Sequence, residues 1–365
     1  MPIYMDVHII PGIKARDIAE AHRKDLFHQD EFECKCMTYW VDERRENVFC
    51  LIEAASRESV EEMHSRAHGM IPNKIIEVDS LLVESFLGRI YDPEEAEISG
   101  GLKILQDSSF RILLVTRMTD PVLLQRKFGR EKTLELLNHH NNIIRRNISQ
   151  HEGSEVEQGG TGFVISFVSA ARAVSCALAI QKEIPEACAD DIGFRMGINA
   201  GDPVEKSNKL FGDTINLAKY MCAIAGNAQV AIASSVIELV SKDYLGNEKN
   251  KLLAFSPQDE TLLELLFSKL DENWQNPDFS VDEYCRAMAM SKSQLYRKTI
   301  ALTGLSPNIL LKEFRLEKAK ELMKKQRYTV SQITFDSGFT SPSYFTKCFK
   351  KKYGLLPMSY LDLLY

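Results

Sequence analysis

The last ninety residues carry one short pattern twice, and this duplication constrains the fold more than any other feature of the chain. A serine precedes a short helix that ends in basic and aromatic residues, first in 291–298 and again in 341–350. Serine is favoured just before a helix because its hydroxyl accepts a backbone N–H of the first turn. Two such helices in one small domain are typical of proteins that read DNA. The pattern therefore predicts a helical DNA-binding domain.

The charge of the chain is divided unevenly. Its 365 residues exceed what one hydrophobic core usually organises, so two or three domains are expected. They include 45 Lys+Arg and 51 Asp+Glu, but residues 277–365 hold 15 of the basic residues and only 8 of the acidic ones. A basic C-terminal part thus follows an acidic body, and we expect a phosphate-bearing partner at the C-terminal end.

Neither a signal peptide nor a membrane-spanning segment is expected from the sequence. The first residues lack a basic region and an apolar stretch, and no apolar run reaches about 18 residues. We therefore predict a cytoplasmic protein with no membrane partner, in which most of the eight cysteines are reduced and structural.

Hydrophobic periodicity divides the chain into a multidomain α+β protein. Residues 1–90 predict a ferredoxin-like domain with the order strand, helix, strand, strand, helix, strand, and its final strand region spans 75–86. The acidic segment 91–108 is expected to be a linker. Strands and helices alternate in 109–256, which predicts an α/β domain, and 260–365 is helical throughout.

The helical part resembles the AraC/XylS family of transcription regulators. The resemblance rests on the two capped helices, the joining helix 307–324, the turn 338–341 and the closing segment 354–360. It implies an all-α double helix-turn-helix that binds double-stranded DNA, with the second helix of each unit in the major groove.

Carried over residue by residue, the family pattern assigns the side chains that face DNA. It implies base contacts from Ser293, Tyr296 and Arg297 in the first helix, and from Ser343 and Lys347 in the second. An arginine pairs well with O6 and N7 of guanine, so Arg297 is the expected guanine reader, and Lys350 is expected on phosphate. The alternative for each side chain is an ordinary solvated helix face.

The middle part resembles class III nucleotidyl cyclases. Residues 211–218 read Phe-Gly-Asp-Thr-Ile-Asn-Leu-Ala, similar to the family signature Phe-Gly-Asp-x-Val-Asn-x-Ala, and 111–240 follow the family's order of strands and helices. The resemblance implies two aspartates that hold two divalent metals, and an arginine that stabilises the developing charge. At these positions the chain has Arg117, Thr161 and Tyr220, while Asn216 of the signature remains.

A site without its two anionic ligands does not hold Mg²⁺ at useful affinity, so the sequence predicts a degenerate cyclase-like domain and no enzyme. Two roles stay open. The domain is either a scaffold that dimerises and positions the C-terminal domain, or a cleft in which Arg117, Thr161 and Asn216 bind a nucleotide-like effector. The alternative from another class is an active nucleotidyl cyclase fused to a DNA-binding module.

Histidines concentrate near the N-terminus, where five of the eight fall within the first 68 residues. His64 and His68 are four positions apart and share one helical face, and Asp6 and His8 share one face of the first strand. Imidazole with some carboxylate or thiolate suits Ni²⁺, Cu²⁺ or Zn²⁺. The sequence thus predicts a transition-metal site whose candidate ligands are His64, His68, His22, His8 and Cys34.

Segments 21–25, 49–54 and 64–69 also resemble a family of small ferredoxin-like nickel-binding domains. The alternatives are ordinary polar or capping roles for the histidines, a small organic effector in place of metal, and a domain that only dimerises. The sequence as a whole predicts a homodimeric transcription regulator that responds to a metal or another ligand.

Overall fold

The computed structural model describes residues 1–94, 97–99, 102–159, 161–188, 192–240, 251–325 and 329–364. The strands are β1 (Ile3–Ile9), β2 (Cys34–Asp42), β3 (Asn47–Ala54), β4 (Lys74–Val78), β5 (Glu97–Ser99), β6 (Leu102–Ile104), β7 (Arg111–Met118), β8 (Ser154–Gly159), β9 (Gly162–Phe167), β10 (Phe194–Gly201), β11 (Gln229–Ile232) and β12 (Leu252–Ala254). The α-helices are α1 (Ala15–His28), α2 (Arg57–Ala67), α3 (Ser80–Leu87), α4 (Pro121–Phe128), α5 (Arg130–Gln150), α6 (Ala170–Cys188), α7 (Gly212–Ile224), α8 (Ser234–Leu239), α9 (Pro257–Asn273), α10 (Val281–Ala287), α11 (Lys292–Thr303), α12 (Pro307–Lys324), α13 (Val330–Asp336), α14 (Pro342–Tyr353) and α15 (Pro357–Leu364). None of these helices is long and apolar enough to cross a membrane.

The N-terminal domain has the predicted ferredoxin-like arrangement. Its four strands are ordered β2-β3-β1-β4, and β1 runs antiparallel to both of its neighbours. Alternation along β1 turns Tyr4 and Asp6 towards α1 and α2, and Met5 and Val7 towards the opposite face. The sheet therefore carries one core on each side.

The predicted strand over 75–86 is wrong beyond Val78. The Asp79 carboxylate accepts the N–H groups of Leu81 and Leu82, so a helix starts there instead. Gly88, with φ +84°, ends this helix, α3, in the left-handed conformation that glycine adopts without strain. The apolar run in 81–83 suited a strand as well as a helix, and the cap decides between them.

The segment predicted as a linker, 91–108, also differs from expectation. Leu102 and Leu105 are only 5% and 4% exposed and lie in the core of the N-terminal domain. The Tyr39 hydroxyl donates to the Lys103 carbonyl at 2.8 Å and accepts the Leu105 N–H at 3.2 Å. The end of this segment therefore extends the N-terminal domain, because apolar residues follow its acidic part.

The middle domain is the expected α/β unit. Its sheet has the order β12-β11-β10-β7-β9-β8, with β10 antiparallel to β7 and parallel to β11. Along β7, Ile112 and Leu114 belong to the core that contains α5 and α6, whereas Leu113 and Val115 belong to a core on the other face. Both faces of the sheet are thus covered.

The core on that second face joins the N-terminal and middle domains. It combines apolar side chains of β1 to β4 and α3 with others from β7, β9 and the region of α7. Its members include Met5, Trp40, Phe49, Leu51, Ile76, Phe86, Leu113 and Phe211. Arg111 of β7 caps α3 by donating to the carbonyls of Phe86 at 2.9 Å and Leu87 at 3.2 Å. The face of the N-terminal sheet that α1 and α2 leave uncovered is therefore buried against the middle domain of the same chain.

The C-terminal domain is the predicted all-α double helix-turn-helix. Helices α10 and α11 form the first unit, α13 and α14 form the second, and α12 joins them. Ser291 and Ser341 cap α11 and α14, and Gly304 and Gly354, both with φ +71°, end these two helices. The sequence duplication is thus a structural duplication.

We expect Gly338→Ala to destabilise the C-terminal domain more than Gly304→Ala does. Both glycines have positive φ, so alanine costs about 1–2 kcal/mol at either site. At Gly338 a Cβ would also lie 2.2 Å from the Trp274 carbonyl oxygen, whereas at Gly304 nothing lies within 4 Å. Helical circular dichroism during urea unfolding measures both losses, and equal midpoints for the two variants would contradict the close approach.

Candidate functional site

A buried histidine, His64, lies between two aspartates in the N-terminal domain. Its Nε2 is 2.9 Å from Oδ2 of Asp6 on β1, and its Nδ1 is 3.2 Å from Oδ1 of Asp25 on α1. At most 4% of any of these three side chains is exposed. The packing of α1 and α2 on one face of β1 brings these three groups together.

Charge and burial compete at this site. Burial disfavours the imidazolium, but the Asp6 and Asp25 carboxylates outweigh it and raise the pKa of His64 to about 10. Burial also opposes the carboxylate of Asp25, whose pKa is nevertheless lowered by hydrogen bonds from His64 and His68. Without an ion, His64 is therefore a cation shared by two carboxylates, and a metal would take the place of a proton.

His68 brings a second imidazole to the same place. Its Nε2 lies 3.0 Å from Oδ1 of Asp25 and 3.0 Å from Nδ1 of His64. A metal ion about 2.0–2.1 Å from each of three ligands at right angles separates them by about 3 Å, so this triangle fits one ion. Two imidazoles and a carboxylate are a donor set for Ni²⁺, Cu²⁺, Zn²⁺ or Fe²⁺.

The other ring nitrogens show how such an ion would be held. The Nε2–H of His64 donates to Asp6, the carboxylate partner that commonly orients a metal-binding imidazole. The Nδ1 of His68 accepts the Met70 N–H at 3.1 Å, so a neutral His68 carries its proton on Nε2. An ion at Nε2 requires that proton on Nδ1, and the Met70 amide must then turn away.

A second set of donors overlaps the first. Asp6, His8, Cys50 and His64 are all buried, and their ligand atoms lie within 4.8 Å of one another. Burial and the neighbouring Asp6 charge raise the pKa of the Cys50 thiol well above its ordinary value. The three ligand atoms of the triangle lie 3.0 to 3.2 Å from one another, the separation expected around one ion, so Asp25, His64 and His68 are the better candidate.

The structure brings three of the five predicted ligands into this cluster. His64 and His68 belong to the triangle, and the Nε2 of His8 is 3.3 Å from Oδ1 of Asp6. The sequence prediction omitted Asp25, although His22 and Asp25 lie one helical turn apart. This spacing was the sequence signal that could have identified Asp25 as a candidate ligand.

The other two predicted ligands point to different partners. His22 lines the same small pocket, but its Nε2 is 3.4 Å from Asp92 and its ring packs against Tyr39. Cys34 donates to the Phe32 carbonyl at 3.4 Å, and burial raises the pKa of its thiol to about 11. Neither belongs to the two donor sets found among the described residues.

In the middle domain, the first cyclase position contacts the C-terminal domain. The Arg117 guanidinium is 2.5 Å from Oε2 of Glu317 on α12. Burial opposes the carboxylate of Glu317, yet the charges of Lys320 and Arg117 hold its pKa well below the usual range. Lys320 also lies 2.9 Å from Asp120 at the start of α4, which accepts the Tyr360 hydroxyl at 2.8 Å. This cluster fixes α12 and α15 on the middle domain.

Of the other predicted cyclase positions, Thr161 lies next to Arg117 along the β7–β9 edge, whereas Asn216 lies on α7. The Thr161 carbonyl accepts the Met118 N–H at 2.7 Å, and Asn216 is exposed on α7. Across the described parts of the chain, no hydrogen bond or ion pair joins the side chains of Arg117, Thr161 and Asn216. Tyr220 stacks on Phe267 of α9 with ring centres 4.7 Å apart.

The two capped helices of the C-terminal domain present equivalent surfaces. Ser293 and Arg297 lie one turn apart on exposed positions of α11, and Ser343 and Lys347 do the same on α14. The opposite sides hold the core, with Leu295 in α11 and Phe345 and Phe349 in α14. The four polar side chains are thus free to meet a partner.

The other two predicted DNA contacts differ in their surroundings. Lys350 is exposed on α14, beyond Lys347. Tyr296 is half-buried, and its hydroxyl accepts the side-chain N–H of Asn308 at 2.9 Å. Tyr296 therefore supports α11 against α12 as well as lying beside the exposed face.

Three sequence families match separate parts of the chain, and they confirm the three resemblances. The nickel-responsive protein family, SCO4226-like, matches residues 4–78. The adenylate and guanylate cyclase catalytic domain matches 122–264. The helix-turn-helix domain of AraC type matches 284–362.

Curated relatives match over shorter stretches. A histidine kinase P4 from Formosa agariphila is 35% identical over 108 residues, which are 30% of this chain and 8% of that protein. The HTH-type transcriptional regulator MtrA of Neisseria gonorrhoeae is 30% identical over 36% of this chain and 44% of its own length. A putative adenylate cyclase 3 of Rhizobium meliloti is 36% identical over 25% of this chain and 16% of that protein. The chain thus spans less than half of each.

Proposed function

We propose that this protein is a transcription regulator that binds specific double-stranded DNA sequences in the cytoplasm and responds to a transition metal. The observation that carries the proposal is the pair of equivalent exposed faces on α11 and α14. In this proposal Ser293, Arg297, Ser343 and Lys347 read bases, and Lys350 contacts phosphate. A homodimer would double the number of half-sites that one regulator contacts.

The physical case for DNA rests on geometry and charge together. An α-helix fits the major groove, where the side chains of its first turns reach the base edges. The first two turns of α11 and α14 carry exposed hydroxyl and basic groups, whereas the apolar sides of both helices are buried. The excess of basic over acidic residues in 277–365 supplies the attraction for phosphate.

We expect Arg297→Ala and Lys351→Ala to weaken DNA binding in different ways. The arginine can pair with one guanine, so its loss should cost about 1–3 kcal/mol and relax the sequence preference at one position. Lys351 is exposed in the last turn of α14, away from the turns that would face bases, and its loss should weaken binding to all sequences alike. Fluorescence anisotropy with a selected operator and its single-base variants separates the two effects. An Arg297→Ala variant with unchanged base preference would contradict the assignment.

The metal belongs to the same proposal. Asp25, His64 and His68 would hold Ni²⁺, Cu²⁺ or Zn²⁺, with Asp6 and His8 behind them. A bound divalent ion supplies positive charge and fixed directions for its ligands, and replaces two ring protons that otherwise face Asp25. The match to the nickel-responsive family supports this assignment.

We expect the double variant His64→Ala/His68→Ala to lose the metal. Protein purified without a His tag, loaded with Ni²⁺ and dialysed, should retain about one ion by elemental analysis, and the double variant close to none. His28→Ala is the matched control, because His28 faces Glu31 outside the cluster, and Cys34→Ser should also keep the ion. An equal nickel content in wild type and double variant would reject the site.

The middle domain, in this proposal, catalyses nothing. A cyclase needs anionic ligands for two metals, and Arg117 and Thr161 stand at those positions. The charge of Arg117 is engaged by Glu317, so we assign this side chain to domain contact and not to an effector. The alternative of an active cyclase draws on the match of 122–264 to the catalytic domain.

Incubation with ATP or GTP and Mn²⁺ distinguishes these alternatives. We expect no cyclic nucleotide above that formed by an Asn216→Ala variant, measured by liquid chromatography and mass spectrometry. Product that disappears on this substitution would establish the cyclase and refute the pseudo-enzyme.

A further inference from the structure

One lysine of the N-terminal domain holds a loop of the middle domain. The Nζ of Lys74 donates to three consecutive backbone carbonyls, those of Glu205, Lys206 and Ser207, at 2.9, 2.7 and 2.7 Å. An ammonium group has three N–H donors, so this contact uses all of them. We call residues 203–224, which comprise this loop and α7, the signature segment.

Lys74 also lies at the end of the turn that carries His68. Residues 68–73 connect the metal candidate to β4, and the Met70 N–H already contacts Nδ1 of His68. Asn73 fixes the far end of this turn to β1, because its N–H donates to the Val7 carbonyl at 2.8 Å and its side chain accepts the Ile9 N–H at 2.7 Å. Five residues therefore separate His68 from Lys74, and Asn73 ties this connection to β1 directly before Lys74.

The loop that Lys74 holds is under backbone strain. Phe211, at its end, has φ +52°, in the left-handed region that an aromatic residue rarely adopts. Its ring is nevertheless buried in the shared core, 4.7 Å from the ring of Phe86. The Ser207 N–H donates to Asp213 at 2.8 Å and closes the loop on α7. Strain of this kind persists only where surrounding contacts enforce it.

The other end of the signature segment reaches the first helix-turn-helix. The Tyr220 hydroxyl donates to Asp271 of α9 at 3.0 Å, and its ring stacks on Phe267. On the same helix, α9, the Leu266 carbonyl accepts a hydrogen bond from the Tyr284 hydroxyl of α10 at 2.9 Å. Helix α9 is thus bonded to α7 on one side and to the DNA-binding domain on the other.

We infer that the signature segment transmits the state of the metal centre to the DNA-binding domain, with Lys74 as its input contact and Tyr220 as its output contact. The inference rests on the proposed metal response. An ion at His68 would displace the Met70 amide, and the altered connection 69–73 would change how Lys74 contacts the three carbonyls of the loop. Helix α7 then carries the change through Tyr220 to α9.

The first test needs no metal. Hydrogen exchange of the amides in 204–211 is compared in wild type, Lys74→Met and Lys103→Met. Lys103 is an exposed lysine on the same domain and serves as the control. We expect exchange about tenfold faster or more in Lys74→Met, because three charge-assisted hydrogen bonds are lost, and wild-type exchange in Lys103→Met. Unchanged exchange in Lys74→Met would overturn the inference.

The second test measures coupling to DNA. The ratio of DNA dissociation constants with and without Ni²⁺ is determined for wild type, Lys74→Met, Tyr220→Phe and the double variant, with nickel content checked for each. Each single variant should keep its metal and lose most of the response, and the double variant should lose no more than either alone. A full response in Lys74→Met would overturn the route while leaving the metal sensor intact. A wild type that binds nickel and DNA without a response would instead count against the proposed function, and the exchange comparison would still decide on Lys74.

Discussion

The rest of the structure depends on the burial of both faces of the six-stranded sheet in the middle domain. Ile112 and Leu114 point into the core beneath α5 and α6, and Leu113 and Val115 point into the core shared with the N-terminal domain. Four successive residues of β7, 112–115, are apolar and point alternately to the two sides, so this part of the strand has no solvent face. The middle domain therefore cannot be a free unit in this chain, and its neighbours are part of its hydrophobic stabilisation.

Polar contacts at two positions of the predicted cyclase cleft add to the apolar core that joins the middle domain to the C-terminal helices. Arg117 pairs with Glu317, and Tyr220 pairs with Asp271. At Arg117 this contact places a cation of the middle domain against a carboxylate of α12. The likeness of this domain to a cyclase rests on the family match over 122–264, and two of its side chains, Arg117 and Tyr220, contact the helices that follow.

Much of this organisation could be predicted from local sequence. The helix caps at Ser291 and Ser341 depend on residues a few positions apart, and so does the shared face of His64 and His68. Such features can be predicted from a short stretch of sequence. The partners Asp25 and Glu317 cannot, because Asp25 meets His64 across 39 positions and Glu317 meets Arg117 across 200. The first pair is set by how α1 and α2 pack within one domain and the second by how two domains pack, and no local pattern encodes either.

The shared core has a consequence for how the chain is made. During synthesis the N-terminal sheet is complete before the strands that cover its second face have left the ribosome. Met5, Trp40, Phe49 and Leu51, all buried in the finished protein, then face water or one another. An apolar sheet surface of this kind favours association between nascent chains. The rate at which β7 and β9 arrive therefore becomes a determinant of yield, separate from the stability of the folded protein.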